Sequence, residues 1–246
     1  MEERFMEVEF RRVTLIRDGR TILRDLSFSL AAGETLVLLG ASGSGKTTAL
    51  RLVNALLMPT SGEVQVAGKA TTAWDPIELR RRIGYVMQEH GLFPHMTVQR
   101  NVGLGLEILR RPQSQIDSRA TALLEELKLP AAEFQRRYPR SLSGGQKQRA
   151  GIARALATDP GLLLLDEPFG ALDPPTRLDL QHQFLELRNK YRKASLFVTH
   201  DVAEALRLAT RIGLLHNGTL ELEATPEEFV RTTHPVAQSF LRYLER

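Results

Sequence analysis

The stretch Gly40-Ala41-Ser42-Gly43-Ser44-Gly45-Lys46-Thr47-Thr48 decides how this chain folds. It follows the apolar run Thr35–Leu39, which is typical of a buried strand, and it precedes good helix formers over residues 49–57. Strand, glycine-rich turn and helix is the context in which G-x-x-x-x-G-K-[ST] predicts a phosphate-binding loop. The glycines allow successive N–H groups to point into one concavity, and the helix N-terminus adds partial positive charge. We therefore expect residues 40–48 to bind a nucleoside triphosphate, with Lys46 on its β- and γ-phosphates and Thr47 on Mg²⁺.

Composition excludes several other kinds of protein. The 246 residues are 42% hydrophobic and 25% charged, which is enough apolar material for a sizeable core. The absence of cysteine excludes disulfides, thiolate metal sites and cysteine nucleophiles. No apolar run approaches the ~18 residues of a membrane span, and residues 1–5 carry acid without the apolar core of a signal peptide. The net charge of +4 comes with 29 acidic residues spread among the basic ones, so charge does not predict a nucleic-acid partner.

The pattern of apolar residues predicts an α/β fold. Amphipathic strands that would form a small β layer around the nucleotide-binding unit are expected over residues 7–15, 22–30 and 63–68. Buried strands are expected over residues 35–39, 83–87, 162–165 and 194–199, with a hairpin over residues 211–223. Residues 97–158 have helical spacing. The expected organisation is a single domain with an α/β core and β layer (1–88 and 160–224), a helical subdomain (89–159) and a helical C-terminal cover (225–246).

Polar residues stand where the predicted buried strands end. Ligands bind at the carboxyl ends of strands in open α/β sheets, and Gln88, the pair Asp166-Glu167 and His200 each follow an apolar run. A carboxylate at a strand tip can hold Mg²⁺ and the next can orient or deprotonate a water. We therefore assign Asp166 to the metal and Glu167 to the attacking water. His200 could donate to the γ-phosphate or to that water, although a lone histidine is more often structural.

A second candidate anion site begins another predicted helix. Ser143-Gly144-Gly145-Gln146 is a Ser-Gly-Gly turn followed by helix formers, and exposed N–H groups at such a start suit an anion. Two such turns serving one nucleotide within one chain would be redundant, whereas two chains arranged head to tail would clamp each nucleotide from both sides. A serine N-cap explains the isolated motif equally well.

Taken together, these residues resemble the nucleotide-binding subunits of ATP-binding-cassette (ABC) transporters. Six motifs occur in the order of that family: Walker A at 40–48, the Q-loop at Gln88, the LSGGQ signature at 142–146, Walker B at 162–167, the D-loop at 171–173 and the switch histidine at His200. The resemblance covers nearly the whole chain. It implies the ABC ATPase fold, which is a P-loop NTPase (RecA-like) core with an N-terminal antiparallel β layer and an inserted helical subdomain. It also implies hydrolysis of ATP with Mg²⁺, in which Lys46, Glu167 and His200 are catalytic.

The same resemblance implies a homodimer of ATPase subunits. Two ATP molecules would lie between Walker A of one chain and the signature of the other, with Asp173 also at the nucleotide and Gln88 also on the metal. ATP would close the dimer and hydrolysis reopen it, because the γ-phosphate favours the closed state. This cycle would drive membrane permease subunits, bound through the segment after Gln88, and indirectly an extracytoplasmic substrate-binding protein. The expected location is the cytoplasmic face of the inner membrane.

One position departs from the family. An aromatic residue near the end of the first strand usually stacks on adenine, and the aligned position here is Arg17. A guanidinium can also stack on a base plane. We therefore expect Arg17 to contact the nucleotide with weaker discrimination between ATP and GTP.

Residues 88–97 and 166–177 resemble the importer branch that takes up glycine betaine, choline and other quaternary-amine osmoprotectants. In the family the segment after the Q-loop contacts a cytoplasmic helix of the permease, so Leu92, Phe93 and Met96 are contact candidates; packing inside the helical subdomain explains them equally well. Alternative functions are an importer ATPase for an amino acid or an inorganic ion, a nucleic-acid-associated ABC protein and a non-hydrolysing scaffold. Glu167 argues against the scaffold, and the nucleic-acid-associated proteins usually carry two cassettes or a long coiled-coil insertion.

Overall fold

A computed structural model describes residues 6–88, 91–242 and 244. The predictions made for residues 1–5, for the two residues after Gln88 and for the last residues of the C-terminal cover lie outside this part of the chain. The chain divides into two compact units, unit 1 (Met1–Arg80 with Tyr191–Arg246) and unit 2 (Arg81–Lys190).

Unit 1 contains most of the strands. Its elements are β1 (Val8–Arg17), β2 (Arg20–Leu30), β3 (Thr35–Leu39), α1 (Lys46–Val53), β4 (Ser61–Val66), β5 (Lys69–Ala70), α2 (Pro76–Arg81), β8 (Ala194–Thr199), α8 (Val202–Leu208), β9 (Arg211–His216), β10 (Thr219–Ala224), α9 (Pro226–Arg231) and α10 (Pro235–Leu241). Strands β2, β1, β4 and β5 form an antiparallel sheet in that order. Because buried and exposed residues alternate along β1 and β2, one face of this sheet packs inward, where the rings of Phe10 and Phe28 stack at 4.3 Å. The predicted β layer is confirmed.

The second sheet of unit 1 carries the phosphate-loop motif. Every residue of β3 is buried, and β3 pairs in parallel with both β8 and β9. A strand buried on both faces needs a continuous apolar run, which is the pattern of residues 35–39. Strand β10 closes the edge as an antiparallel hairpin with β9, as predicted. Since Leu39 pairs with Thr199, the carboxyl ends of β3 and β8 lie side by side.

Unit 2 is mainly helical. Its elements are β6 (Ile83–Val86), α3 (Val98–Ile108), α4 (Gln113–Glu126), α5 (Ala131–Phe134), a 3₁₀ turn (Pro139–Ser141), α6 (Gly144–Ala157), β7 (Leu162–Asp166) and α7 (Pro174–Tyr191). Strands β6 and β7 are parallel, with Val86 opposite Leu165. The helical character predicted for residues 97–158 is confirmed, whereas the sequence patterns do not predict α2, α7 or α8. Among the described residues, no helix combines the length and apolar character that crossing a bilayer requires.

Candidate nucleotide-binding site

The loop at residues 40–48 joins β3 to α1 in unit 1. Helix α1 has Gly45 as its N-cap, at a φ of 105°, so no cap side chain accepts from the first-turn N–H groups. The first turn also holds no acidic residue that would repel an anion. The φ of Gly45 disfavours any residue that has a Cβ, and a Cβ there would also lie 2.6 Å from Leu23 Cδ2 and 3.2 Å from Ile22 O. The start of α1 is therefore compatible with a bound anion.

Lys46 is buried beneath this loop, with 5% of its surface exposed. Its Nζ donates to the carbonyl oxygens of Gly40 at 2.8 Å and Ala41 at 2.9 Å. Burying an ammonium group is unfavourable unless its protons are bonded, and the two carbonyls offset part of that cost while they hold the loop closed. The ammonium group of Lys46 is therefore already oriented and largely desolvated before a phosphate binds.

The loop is closely packed at Gly40 and encloses the hydroxyl of Ser44. A Cβ on Gly40 would lie 2.3 Å from Leu215 O and 2.6 Å from Ser44 Oγ, so no side chain fits there. Ser44 is 5% exposed, and its Oγ has no hydrogen-bond partner among the described residues. A buried hydroxyl without a partner is costly unless a ligand supplies one. The residues present thus fit a triphosphate group.

A residue that is distant in sequence also forms a hydrogen bond to this loop. Gly218, in the turn between β9 and β10, donates its N–H to Ser44 O at 3.1 Å and accepts from Arg24 N at 2.9 Å. Its φ is 82°, and a Cβ there would lie 2.4 Å from Ile22 O. The sequence predicts a turn at Gly218, but it does not predict that this residue is hydrogen-bonded to the loop at Ser44.

His200 follows β8 directly and is exposed. Gly40 N donates to Thr199 O at 3.3 Å, so the start of the phosphate loop and the turn that carries His200 are adjacent. Two further bonds shape this turn: the Thr199 hydroxyl donates to the buried Glu204 Oε2 at 2.7 Å and accepts from Asp201 N at 3.0 Å. His200 stays a sequence-based prediction, and sequence reasoning gave no signal for Glu204.

Arg17 is the last residue of β1, at the tip of the β1–β2 hairpin. Its side chain is 65% exposed, and its Nε lies 3.8 Å from Asp18 Oδ2. An ion pair this exposed contributes little to stability. The guanidinium can therefore leave Asp18 for a base at little cost.

The carboxylate pair lies in unit 2, where parallel β6 and β7 bring Gln88 and Asp166 to the same sheet edge. Asp166 ends β7, is 5% exposed, and accepts from the Tyr85 hydroxyl at 3.2 Å. Glu167 has a φ of 43°, which turns the chain out of the strand, and Gly170 N donates to its carbonyl at 3.3 Å. Tyr85 is a contact that sequence reasoning missed. Gln88 is exposed.

The Ser143 turn caps its own helix. Ser143 Oγ accepts from Gln146 N at 3.3 Å, and Gln146 Oε1 accepts from Ser143 N at 2.9 Å, which makes a capping box at the start of α6. The N-cap explanation is thus correct for a single chain. A hydroxyl that accepts a hydrogen bond still has its own proton to donate, so capping does not prevent Ser143 from binding an anion.

The D-loop residue Asp173 stands at the start of α7. Thr176 N donates to Asp173 Oδ1 at 3.1 Å, and this bond lowers the pKa of the Asp173 carboxyl. The starts of α6 and α7 also touch, because a Cβ on Gly145 would lie 2.4 Å from Thr176 Cγ2. The signature turn and the D-loop are therefore neighbours.

The segment after Gln88 presents one large apolar side chain. Phe93 is 41% exposed, whereas Leu92 and Met96 are half-buried. Asn101 of α3 fixes the segment: its Oδ1 accepts from Phe93 N at 2.7 Å, and its Nδ2 donates to the carbonyls of Phe93 and Met96 at 3.1 Å. Among the three candidates, Phe93 has the exposure that an intermolecular contact needs.

Comparisons with known proteins identify relatives of this chain. The profile of the family described as ABC transporter matches residues 23–170. The chain is 45% identical over 215 residues to the glycine betaine/carnitine/choline transport ATP-binding protein OpuCA of Bacillus subtilis (strain 168), covering 87% of this chain and 56% of that protein. It is 40% identical over 235 residues to the glycine betaine uptake system ATP-binding protein YehX of Escherichia coli (strain K12), covering 96% and 75%. The chain thus spans about half the length of several curated relatives that it matches.

A solved structure is also similar. It is the dimeric, post-hydrolysis state of the ATP-binding cassette MJ0796 bound to ADP and Pi, with a TM-score of 0.79 and 33% identity. The match covers 89% of this chain and 98% of that one. The predicted ABC ATPase fold is confirmed.

Proposed function

This chain belongs to the ABC transporter family, and from that premise we propose that it is the ATP-hydrolysing subunit of an importer for a quaternary amine such as glycine betaine or choline. The observation that carries the ATPase assignment is the closed loop around buried Lys46, with the unpaired hydroxyl of Ser44 inside it. The solute class is supported by the names of relatives at 40–45% identity.

The residues of the loop bind the phosphates. Lys46 and the first-turn N–H groups of α1 act on the β- and γ-phosphates, and Ser44 donates its hydroxyl. Mg²⁺, when bound, offsets the phosphate charge and orients the leaving group. Thr47, Gln88 and Asp166 are its proposed protein ligands, and all three offer the oxygen donors that Mg²⁺ prefers. Arg17 is the proposed contact to the base.

Hydrolysis needs a group that orients or deprotonates water. Glu167 is proposed for this role, because it follows Asp166 at the tip of β7 and its φ of 43° turns the chain there. His200 is proposed to donate to the γ-phosphate or to the water, since its turn is bonded to the start of the phosphate loop through Thr199.

The working unit is proposed to be a homodimer arranged head to tail. Ser143, Gly144, Gly145, Gln146 and Asp173 of each chain would then face the nucleotide held by its partner. The dimeric state of the similar MJ0796 structure supports this arrangement. The γ-phosphate supplies the difference in affinity between closed and open dimer, which any ligand-driven change requires.

Permease subunits would bind through the segment after Gln88, with exposed Phe93 as the main contact and Leu92 and Met96 beside it. The chain would lie at the cytoplasmic face of the inner membrane, held by those subunits, and an extracytoplasmic binding protein would act on it indirectly. No nucleic acid takes part in this cycle.

The test of the ATPase assignment is Glu167→Gln. We expect the variant to bind ATP as the parent does, to lose ~10²–10⁴-fold in kcat, and to form an ATP-dependent dimer by sedimentation. The matched control is Glu186→Gln, the same change at an exposed position of α7. Unchanged turnover in Glu167→Gln would contradict the role of Glu167.

The test of the solute assignment uses the whole transporter. The chain is co-purified with its permease and binding protein and reconstituted in liposomes, and ATP hydrolysis is measured with candidate solutes. Glycine betaine or choline should stimulate turnover. Stimulation by an amino acid or an inorganic ion alone would replace the quaternary amine with that solute and leave the ATPase assignment intact.

A further inference from the structure

The starts of α6 and α7 approach closely at Gly145. A Cβ on Gly145 would lie 2.4 Å from Thr176 Cγ2, whereas one on Gly144 would meet Leu172 Cδ2 at an ordinary 3.7 Å. These two helix starts carry the Ser143 turn and the Asp173 turn, which the proposed function places at the partner's nucleotide. Their spacing is therefore under tight steric control.

A largely buried guanidinium links the same two helices slightly farther along. Arg149 of α6 has a side chain that is 11% exposed, and it donates to Leu127 O at 2.9 Å. It also donates to Gln183 Oε1 and Asp179 Oδ2 of α7, and Gln183 Nε2 donates to Asp179 Oδ2 at 3.3 Å. Lys128 adds an ion pair to Asp179 at 3.2 Å. We call Arg149, Asp179 and Gln183 the α6–α7 clasp.

The chemistry of the α6–α7 clasp is specific to arginine. Asp179 and Gln183 are four positions apart and so lie on one face of α7. The planar guanidinium can donate to both of them and to a carbonyl at fixed angles, whereas an ammonium on a flexible stem cannot reproduce that fork. Burial alone would raise the pKa of Asp179, but the hydrogen bonds and charges of Arg149 and Lys128 lower it, so the carboxylate is charged at neutral pH.

The clasp lies equally far along α6 and α7 from the two turns at their starts. Arg149 lies six positions after Ser143, and Asp179 lies six positions after Asp173. At a rise of about 1.5 Å per residue, the clasp sits about 9 Å from both turns. A change in how α6 and α7 are held together at the clasp therefore changes the distance between the Ser143 turn and the Asp173 turn.

We propose that Arg149 is a positioning residue which, through Asp179 and Gln183, fixes the Ser143 turn relative to the Asp173 turn so that both meet the partner chain's nucleotide at once. This inference rests on the head-to-tail dimer of the proposed function. It predicts a defect in ATP-dependent closure, and no defect in the first binding of ATP to one chain.

The experiment measures two equilibria in the Glu167→Gln background, where a closed dimer should accumulate. Monomer binding is followed with a fluorescent ATP analogue, and ATP-dependent dimerisation by sedimentation. Arg149→Lys and Asp179→Asn should each weaken dimerisation by about tenfold, which is within the usual range of coupling between sites. Binding to the monomer should stay within about twofold. Asp179 is 44% exposed, so Asp179→Asn leaves no buried cavity and folds even if Arg149→Lys does not.

Two controls separate positioning from general stability. Lys190→Gln removes the ion pair between Lys190 and Glu126, which joins the other end of α7 to α4. Lys128→Gln removes the second cationic partner of Asp179 and leaves Arg149 and Gln183 in place. Both should dimerise as the background variant does, including at temperatures chosen to match their thermal stability to that of Asp179→Asn.

The outcomes are distinct. Weaker dimerisation in the two clasp variants alone supports the inference. Equal dimerisation in clasp and control variants of matched stability overturns it and leaves the proposed function standing. If the Glu167→Gln chain itself stays monomeric under ATP, the head-to-tail dimer is wrong, and the inference falls with it.

Discussion

The contact between Gly145 and Thr176 allows a prediction in which removing one methyl group restores the stability that a substitution costs. In Gly145→Ala the new Cβ would lie 2.4 Å from Thr176 Cγ2, whereas carbon atoms pack at about 3.5–4.0 Å. Either the Thr176 side chain must rotate, since its Cβ would stay at an ordinary 3.8 Å, or one helix start must move by about 1 Å. Overpacking of this kind costs about 1–3 kcal/mol, and replacing a helical glycine by alanine returns up to about 1 kcal/mol. The free energy of unfolding of Gly145→Ala should therefore be lower than that of the parent by up to about 2 kcal/mol.

The double variant Gly145→Ala/Thr176→Ser removes the obstructing Cγ2 and keeps the helix-forming alanine. We expect it to regain most or all of the stability that Gly145→Ala loses, and to dimerise under ATP better than that single variant. The matched control is Gly144→Ala, whose Cβ would meet Leu172 Cδ2 at an ordinary 3.7 Å. Calorimetry should show a fall of a few degrees for Gly145→Ala only, at about 2–4 °C per kcal/mol for a chain of this size. A double variant as unstable as Gly145→Ala would refute the steric reasoning.

Three further predictions concern single side chains. Glu204→Ala leaves the Thr199 hydroxyl without its buried acceptor. Steady-state kinetics should then show a lower kcat with little change in the KM for ATP. A rise in KM alone would contradict this prediction. Arg17→Tyr should raise the ratio of ATP to GTP hydrolysis, because an aromatic ring replaces the guanidinium at the base; an unchanged ratio would exclude Arg17 from the base site. The folded-state pKa of Asp179 is lowered, so its contribution is present above the unfolded pKa and is lost as the pH falls through the folded one. Urea unfolding should therefore separate the parent from Asp179→Asn at pH 7. The difference should begin to shrink below about pH 4 and should vanish only below the lowered folded-state pKa. A constant difference would argue against a charged role.

The parts of the fold that the sequence predicts are those with local signals. Strands β3, β7 and β8 are short apolar runs whose residues are all buried, so burial follows from composition alone. Helix α7 lacks such a signal, because its buried face contains Gln181 and Gln183 beside Leu180, Phe184 and Leu187. The partner of Gln183 is Arg149, 34 positions away. A polar helix face satisfied by a distant guanidinium has no apolar periodicity to read.

In the candidate site, too, features with a local sequence pattern are predictable and features formed by residues distant in sequence are not. The phosphate loop is recognisable because glycine, lysine and threonine are required at fixed local spacing. The capping box at Ser143 was also readable, since S-x-x-Q before a helix is its local pattern. The bond from Gly218 to Ser44 spans more than half the chain and has no local counterpart. Glu204 likewise gains its role only once Thr199 and Asp201 are in place.

The two helix starts assigned to phosphate differ in a way that sets the order of binding. Helix α1 begins at Gly45, with no side chain to occupy its first N–H groups, and a buried ammonium lies beneath it. Helix α6 begins in a complete capping box, in which Ser143 and Gln146 satisfy each other. An isolated chain therefore gains much by placing phosphates at α1 and little by placing them at α6. What α6 still offers is the hydroxyl proton of Ser143 and the N–H groups of two glycines, which add affinity only to a nucleotide already held. In the proposed dimer, ATP thus binds first to the loop around Lys46, and the Ser143 turn of the partner supplies the smaller second contribution that depends on the γ-phosphate and so controls closure.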